Sequence, residues 1–253
     1  MEVDRLICGD YLVDMNDIND HSADMILCDL PYGTTACKWD TIIPFEPLWA
    51  QYKRIIKPNG AIVLTASQPF TSRLVMSNIE WFKYEWIWRK SKPTGFINAK
   101  NAPLKKHENI IVFSSGTIAN RSDNRMSYYP QGLIKSGKIK KSVAYRESWG
   151  TRPSRINDGY IQEYTNFPNS VLSFANDSNT NHPTQKPVAL FEYLIRTYTN
   201  EGDLVLDNCA GSFTTAVACI RTKRHYICIE KEAKYCEIGR QRIEAEMAQL
   251  TLI

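Results

Sequence analysis

The 253-residue chain is 43% hydrophobic and 11% aromatic, and 31 Lys+Arg against 27 Asp+Glu leave a formal net charge of +4. This composition excludes a disordered chain, a collagen-like fibre and a small disulfide scaffold, and the length suits one large α/β domain with an insertion or two small domains. No apolar run approaches the roughly 18–20 residues that span a bilayer, and the start MEVDRLICGDYLVDM carries acids where a signal peptide carries basic residues, so a cytoplasmic protein is expected.

In chain order, ADMILCD (23–29) predicts a buried strand stopped at Pro31-Tyr32-Gly33. FEPLWAQYKRIIKPNG (45–60) predicts a helix, because Leu48, Tyr52, Ile55 and Ile56 recur at helical spacing before a Pro-Asn-Gly stop. AIVLTA (61–66) reads as a strand and PFTSRLVMSN (69–78) as a helix. Strand-helix alternation of this kind predicts an α/β fold with a doubly wound, mostly parallel sheet. KYEWIWRK (83–90) and HENIIVFSS (107–115) add two strands around a basic link at 91–106.

From 116 to 181 the chain is rich in Ser, Asn, Tyr, Lys and Arg and shows little periodicity, which marks an insertion between a first half (1–115) and a second (182–253). Regular patterning resumes with a helix at 186–203, where Leu190, Tyr193, Leu194 and Tyr198 share a side. A strand (203–207), a helix (212–222), a strand (225–230) and a long amphipathic helix (231–250) complete a second βαβα unit.

The near-neutral total hides a polarised molecule. Residues 89–155 hold fifteen Lys/Arg and three acids, a local charge of +12, and the remainder carries −8. The seven cysteines form no CxxC pair and have no His in metal-ligand spacing, so reduced, mostly buried thiols and no metal are expected. None of the four histidines has a Cys or Asp partner suited to a nucleophilic triad, and His107 reads as structural.

Two segments carry chemistry. LVLDNCAGSFTT ends a strand at Asp207 and turns through Ala210-Gly211-Ser212 into a helix, a geometry that lets a ligand approach the backbone and presents free amides to a negative group. Nineteen residues beyond Gly211, Glu230 ends the next strand, where a carboxylate can accept both hydroxyls of a ribose. No Gly-Lys-Ser/Thr follows the turn, so it is not a phosphate-binding Walker loop. The second segment, Asp29-Leu30-Pro31-Tyr32, puts a carboxylate, a rigid turn and an aromatic ring at a strand end, a set able to grip a flat base bearing an amino group.

Taken in order, DLPY, a basic insertion, His182-Pro183-Thr184-Gln185-Lys186-Pro187, LDNCAGSFTT and HYICIE resemble the permuted β class of amino-type DNA methyltransferases over essentially the whole chain. The resemblance implies a Rossmann-like methyltransferase fold in permuted order and S-adenosylmethionine as cofactor. It implies that Asp29 and the Leu30 carbonyl accept the two hydrogens of the target amino group, that Pro31 fixes the turn, and that Tyr32 stacks on a flipped base. Asp207, Gly211 and Ser212 are implied to surround the cofactor, Glu230 to hold its ribose, Asp10 its adenine amino group, and Lys186 its methionine carboxylate.

Three positions depart from the family pattern: Leu30 stands for Pro, Cys209 for Phe and Phe213 for Gly, the last placing a bulky side chain where the helix meets the cofactor. In the insertion, Arg121, Arg125, Lys135, Lys138, Lys140, Lys141, Arg146, Arg152 and Arg155 stand among Tyr128, Tyr129, Tyr145 and Trp149, a composition suited to phosphates and bases. The expected partner is double-stranded DNA, with a homodimer implied by the resemblance and a restriction partner unknown; a bacterial or phage origin is also implied.

A Pro-Cys dipeptide, the nucleophile motif of cytosine-ring methyltransferases, does not occur, which excludes that covalent route. Asp at position 29 favours N6 of adenine by analogy with the family. N4 of cytosine, an amine of RNA or of a protein glutamine, and a catalytically silent DNA-binding module stay open as other readings.

Overall fold

The computed structural model describes residues 2–34, 37, 40–140, 160–177 and 185–251. The chain divides into two compact units, 1–129 with 170–253, and 130–169. The larger unit is built on an eight-stranded sheet of β1 (Arg5–Cys8), β2 (Ala23–Cys28), β3 (Ile56–Ala66), β4 (Phe82–Thr94), β5 (Lys105–Phe113), β8 (Val171–Phe174), β9 (Leu204–Asp207) and β10 (His225–Glu230), in the order β1-β10-β9-β2-β3-β5-β4-β8. The five strands β1, β10, β9, β2 and β3 pair in parallel; β5 is antiparallel to β3 and β4, and β8 is parallel to β4.

The strand β2 is apolar from Met25 to Cys28 because both faces are covered there, as a central parallel strand requires, and Asp24 near its start is only partly buried and pairs with Lys57. Met25 and Leu27 join Val63 and Val205 under α4 (Val188–Tyr198), α5 (Thr214–Thr222) and α6 (Ala233–Thr251), through Leu190, Leu194, Ala216, Cys219 and Ile243. Ile26 and Cys28, pointing the other way, join Ile62 and Leu64 under α2 (Phe45–Ile55) and α3 (Phe70–Ser77), through Leu48, Tyr52, Phe70 and Leu74. Period-two alternation along each strand thus supplies two separate cores.

The expected alternation of strands and helices is found, with several differences. A short strand β1 and a one-turn helix α1 (Tyr11–Asp14) precede β2. Helix α2 ends at Ile55, and Lys57-Pro58-Asn59-Gly60 opens β3 instead of stopping the chain; the strand is irregular there, with a register shift opposite Ala23 and Met25. No described helix is long and apolar enough to cross a membrane.

Two described segments of the insertion expected at 116–181 belong to the main unit, and the smaller unit spans 130–169. Residues 116–129 belong to the main unit: Ser127 N–H donates to Asn59 O (2.8 Å), Tyr129 N–H donates to Thr197 O (2.7 Å) and Met126 is buried. Val171–Phe174 pairs with β4 as β8. Their backbone groups find partners on the strands β3 and β4 and the helix α4 of the main unit, which removes both segments from the insertion. The smaller unit contains β6 (Ile134–Lys140) and β7 (Tyr160–Thr165), paired antiparallel.

The expectation of reduced thiols throughout also needs correction. Parallel pairing of β1 with β10 sets Cys8 beside the start of α6, and a disulfide joins it to Cys236 with the Cα atoms 5.9 Å apart. The described free cysteines include Cys28, Cys219 and Cys228, all buried.

Candidate active site

The chain leaves β2 in one direction toward β3 and β9 in the other toward β10, so the carboxyl ends of β2 and β9 flank a topological switch point, the usual place for a ligand in an open α/β sheet. A cavity of about 780 Å³ opens there, within the roughly 300–1,000 Å³ typical of small-molecule sites. Its lining includes Asp29, Leu30, Pro31 and Tyr32 from the end of β2 and Asp207, Gly211, Ser212 and Glu230 from the ends of β9 and β10, together with Lys186. The two predicted constellations therefore share one space.

At the β2 end, both carboxylate oxygens of Asp29 are engaged. Tyr32 Oη donates to Asp29 Oδ1 (2.8 Å) and lies 2.9 Å from Thr65 Oγ1, which also donates to Oδ1. Lys186 Nζ donates to Oδ2 at 2.6 Å. Tyr32 is further fixed by Phe70, whose ring stacks on it with centroids 5.3 Å apart, and Lys186 Nζ lies 5.5 Å from its ring centroid. Burial, then the charges of Asp29 and Glu108, push the Tyr32 phenol well above its ordinary value, so it stays a donor. The turn itself is pinned by the buried Asp40, which accepts from the amides of Gly33 and Thr34, both at 2.8 Å.

Sequence reasoning missed Thr65, Phe70, Asp40 and Glu108. Because β5 runs antiparallel to β3, its beginning lies at the same edge as the carboxyl end of β3, with Ala66 opposite Asn109. That register delivers Glu108 to the site, where Oε2 is 3.4 Å from Lys186 Nζ and Oε1 pairs with Lys90 Nζ. The one signal available in sequence was an acid standing alone in a basic stretch at the head of an apolar strand. His107, expected to be structural, is exposed and lines the cavity.

The resulting chain of charges, Lys90, Glu108, Lys186, Asp29, alternates in sign. Burial pushes the Lys186 ammonium down, but the carboxylates of Asp29 and Glu108 outweigh it and hold the group above its ordinary value of 10.5. Burial likewise pushes Glu108 up, and the ammonium groups of Lys186 and Lys90 reverse the sign, leaving it below 4.5. Lys186 was expected beside a cofactor carboxylate; here it is 6% exposed and paired with carboxylates of the chain itself.

At the β9 and β10 ends, the turn is shaped from beneath. Asp207 is buried and faces inward, accepting from the Cys209 amide (3.0 Å) and the Thr215 hydroxyl (2.5 Å). Burial pushes its carboxyl up from 3.8 to about 6 despite those donors. Gly211 adopts φ +52°, which favours glycine, and its amide donates to Glu230 Oε2 at 2.8 Å. The other Glu230 oxygen accepts from the Glu232 amide (2.8 Å). Ser212 is buried, donates to Gln185 Oε1 (3.0 Å) and receives Arg242 Nη1 on its carbonyl (2.5 Å) and hydroxyl (2.9 Å).

Phe213 does not crowd the site. Its backbone is left-handed (φ +60°) and its ring is fully buried against α6, where Gly239 makes room: a Cβ on Gly239 would sit 2.2 Å from the ring. The cost of the strained backbone, roughly 1–2 kcal/mol, is offset by burying a whole aromatic ring. Asp10 caps α1 by accepting from Leu12 N–H (3.0 Å), and its second oxygen accepts from Lys231 (3.2 Å); Tyr11 and Lys231, its neighbours, line the cavity.

Of the predicted DNA-binding residues, Arg121 and Arg125 are exposed on the 116–129 segment of the main unit, and Lys138 is exposed on β6 of the smaller unit, where Lys140 ends the strand. Lys141, Arg146 and Arg152 lie outside the described residues, as do Tyr145, Trp149, Arg155 and His182.

Comparison with known proteins gives a consistent family. The chain is 25% identical to the type II methyltransferase M.HpaI of Haemophilus parainfluenzae, over 96% of this chain and 74% of that protein, and 29% identical to the DNA adenine methyltransferase YhdJ of Escherichia coli K12, over 96% and 83%. Among solved structures, the M1.HpyAVI–SAM complex superposes with a TM-score of 0.61 at 23% identity, covering 94% of this chain and 98% of that one. The cytosine-N4-specific PvuII DNA methyltransferase superposes with 0.65 at 15%, covering 98% and 91%. A family model described as DNA methylase matches residues 23–241, and the chain accordingly belongs to the N6/N4 DNA methylase family.

Proposed function

We propose that this protein methylates the exocyclic N6 amino group of adenine in double-stranded DNA, with S-adenosylmethionine as methyl donor. The observation that carries the reading is the convergence of the Asp29–Tyr32 turn and the Gly211/Glu230 turn on one cavity. The residues at the second turn fit the cofactor: an acid ending a strand and a backbone that a ligand can approach closely at Gly211. Glu230 would hold its ribose hydroxyls, and Gly211 and Ser212 would border it. When bound, S-adenosylmethionine supplies a methyl group activated by attachment to a sulfonium.

The aromatic amine is a poor nucleophile because its lone pair is delocalised into the ring. Asp29 and the Leu30 carbonyl accept its two hydrogens and draw the nitrogen toward tetrahedral geometry, while Tyr32 supports the base. With the cofactor bound, its sulfonium methyl would be the group transferred to this nitrogen; the Asp29 carboxylate would face the positive charge that develops there, and the displaced proton would pass to solvent. Lys186 gives up its hold on Asp29 Oδ2 without losing its charge partner, because Glu108 stands 3.4 Å away. The target atom is inaccessible in a duplex, so the base enters the cavity flipped. Arg121, Arg125, Lys138 and Lys140 supply phosphate contacts in this reading.

The test is to express the protein in a host lacking adenine methylation and sequence its DNA by a method that detects modified bases. N6-methyladenine at a defined sequence is expected; N4-methylcytosine, or unmodified DNA, overturns the proposal.

A further inference from the structure

The strands β4 and β5 carry the chain up to the cavity rim, where Lys90, Thr94, Lys105 and His107 line the opening. Between them residues 95–104 turn through a short helical segment, Phe96–Asn98, whose tip presents two adjacent apolar side chains to solvent: Phe96 is 68% exposed and Ile97 95%. A single exposed apolar residue means little, but two at the tip of a rim loop form a patch that no described residue covers. The loop and its flanks contain Lys92, Lys100, Lys105 and Lys106, all exposed, and residues 91–107 contain no acid.

An apolar tip ringed by ammonium groups matches one partner chemically: a duplex whose phosphates meet the lysines and whose base stack meets the tip. Withdrawing one base into the adjacent cavity leaves a gap in that stack, and an inserted apolar side chain fills it. Resting on the reading of this chain as a DNA methyltransferase, we propose that Phe96 and Ile97 form a wedge that enters the duplex beside the target base, with Lys92, Lys100, Lys105 and Lys106 gripping the flanking phosphates. The wedge lowers the cost of unpairing and does not touch the reacting atoms, so it acts as a positioning element.

The test uses two duplex oligonucleotides carrying the methylated sequence found by genomic sequencing, one fully paired and one mismatched opposite the target adenine. On the paired duplex, Phe96→Ala/Ile97→Ala is expected to lower kcat/KM by roughly 10- to 100-fold, the scale set by unstacking one base step. On the mismatched duplex, where the base is already unpaired, most of the loss should disappear, and Ile97→Met should behave like the wild type on both. Unchanged S-adenosylmethionine binding shows that the variant is folded. Equal rates for wild type and double variant on the paired duplex, or an equal loss on both duplexes, overturn the wedge alone. A wild-type protein that transfers no methyl to either duplex overturns the DNA-methylation reading itself and the wedge with it.

Discussion

Lys186 Nζ donates to Asp29 Oδ2 across 2.6 Å and 157 residues of sequence, joining the helix-α4 approach to the turn after β2. With Oδ1 occupied by Tyr32 and Thr65, Asp29 is a charged acceptor held in one orientation before any base arrives. Asp29→Asn keeps the shape but gives Lys186 a neutral neighbour and weakens acceptance of the target amine. Its kcat should fall roughly 100- to 1000-fold, the scale set by removing one preorganised group that stabilises developing charge, while the Kd for S-adenosylmethionine changes less than about threefold. Turnover by Asp29→Asn at the wild-type rate removes this residue from catalysis.

The charge chain makes stability fall at both ends of the pH scale. Glu108 is held below 4.5, so its contribution is complete above that value and is lost as pH falls through its lower folded value. Lys186 is held above 10.5, so its contribution is complete below that value and is lost as pH rises through its higher folded value. In Glu108→Gln, Lys186 keeps one carboxylate partner, and the alkaline loss of Tm should begin at lower pH than in wild type. Superimposable alkaline limbs would contradict the coupling.

Asp207 behaves in the opposite sense. Its carboxyl is raised from 3.8 to about 6, so the folded state holds the proton more tightly than the unfolded chain, and stability declines as pH rises from about 4 to about 6 and is level above. The full span corresponds to about 3 kcal/mol as an order of magnitude. Asp207→Asn can still accept from the Cys209 amide and donate to Thr215 Oγ1, and does not titrate. The decline of its unfolding free energy in urea across that window should therefore be smaller than in wild type, and a slope like that of wild type would refute the assignment.

In an exposed helix, Gly→Ala adds up to about 1 kcal/mol of stability. At Gly239 the added methyl would meet the Phe213 ring, so Gly239→Ala should instead destabilise by about 1–3 kcal/mol. Combining it with Phe213→Ala should cost less than the sum of the two single changes, a coupling that a double-mutant cycle measures directly. Strict additivity is the contrary outcome.

Neutralising Lys138 and Lys140 should weaken DNA binding and reduce the dependence of log K on log salt by about 0.9 for each phosphate that a lysine no longer neutralises. Binding isotherms between low and physiological salt provide the slope; an unchanged slope removes β6 from the DNA surface.

Much of the fold can be read from the chain because the central strands are buried on both faces: ADMILC, AIVLTA and HYICIE are rich in apolar residues with scarcely a break, and the helices around them repeat at 3.6 residues. What escaped are segments whose burial is one-sided or absent. IKSGKIK and YIQEYT pair with each other, leaving Ile134 and Ile161 largely exposed, so no apolar face announces them. RLIC is only four residues long. The site was half legible. Asp29–Tyr32, Gly211 and Glu230 form local turns with their own signatures, whereas Thr65 arrives through the parallel register of β3 with β2 and Glu108 through the antiparallel register of β5 with β3, non-local pairings that no window of sequence contains.

The packing of α6 on the Gly211–Phe213 turn ties the turn proposed to border the cofactor to a helix that follows it in sequence. Gly239 receives the Phe213 ring, and Arg242, almost one helical turn later, donates to the Ser212 carbonyl, so the helix grips two adjacent residues of the turn. Binding energies are reciprocal: whatever an ordered turn contributes to holding S-adenosylmethionine, the bound cofactor returns to the helix. In the proposed reading α6 thereby senses the cofactor, and substitutions at Gly239 or Arg242, which do not line the cavity, would tune its affinity.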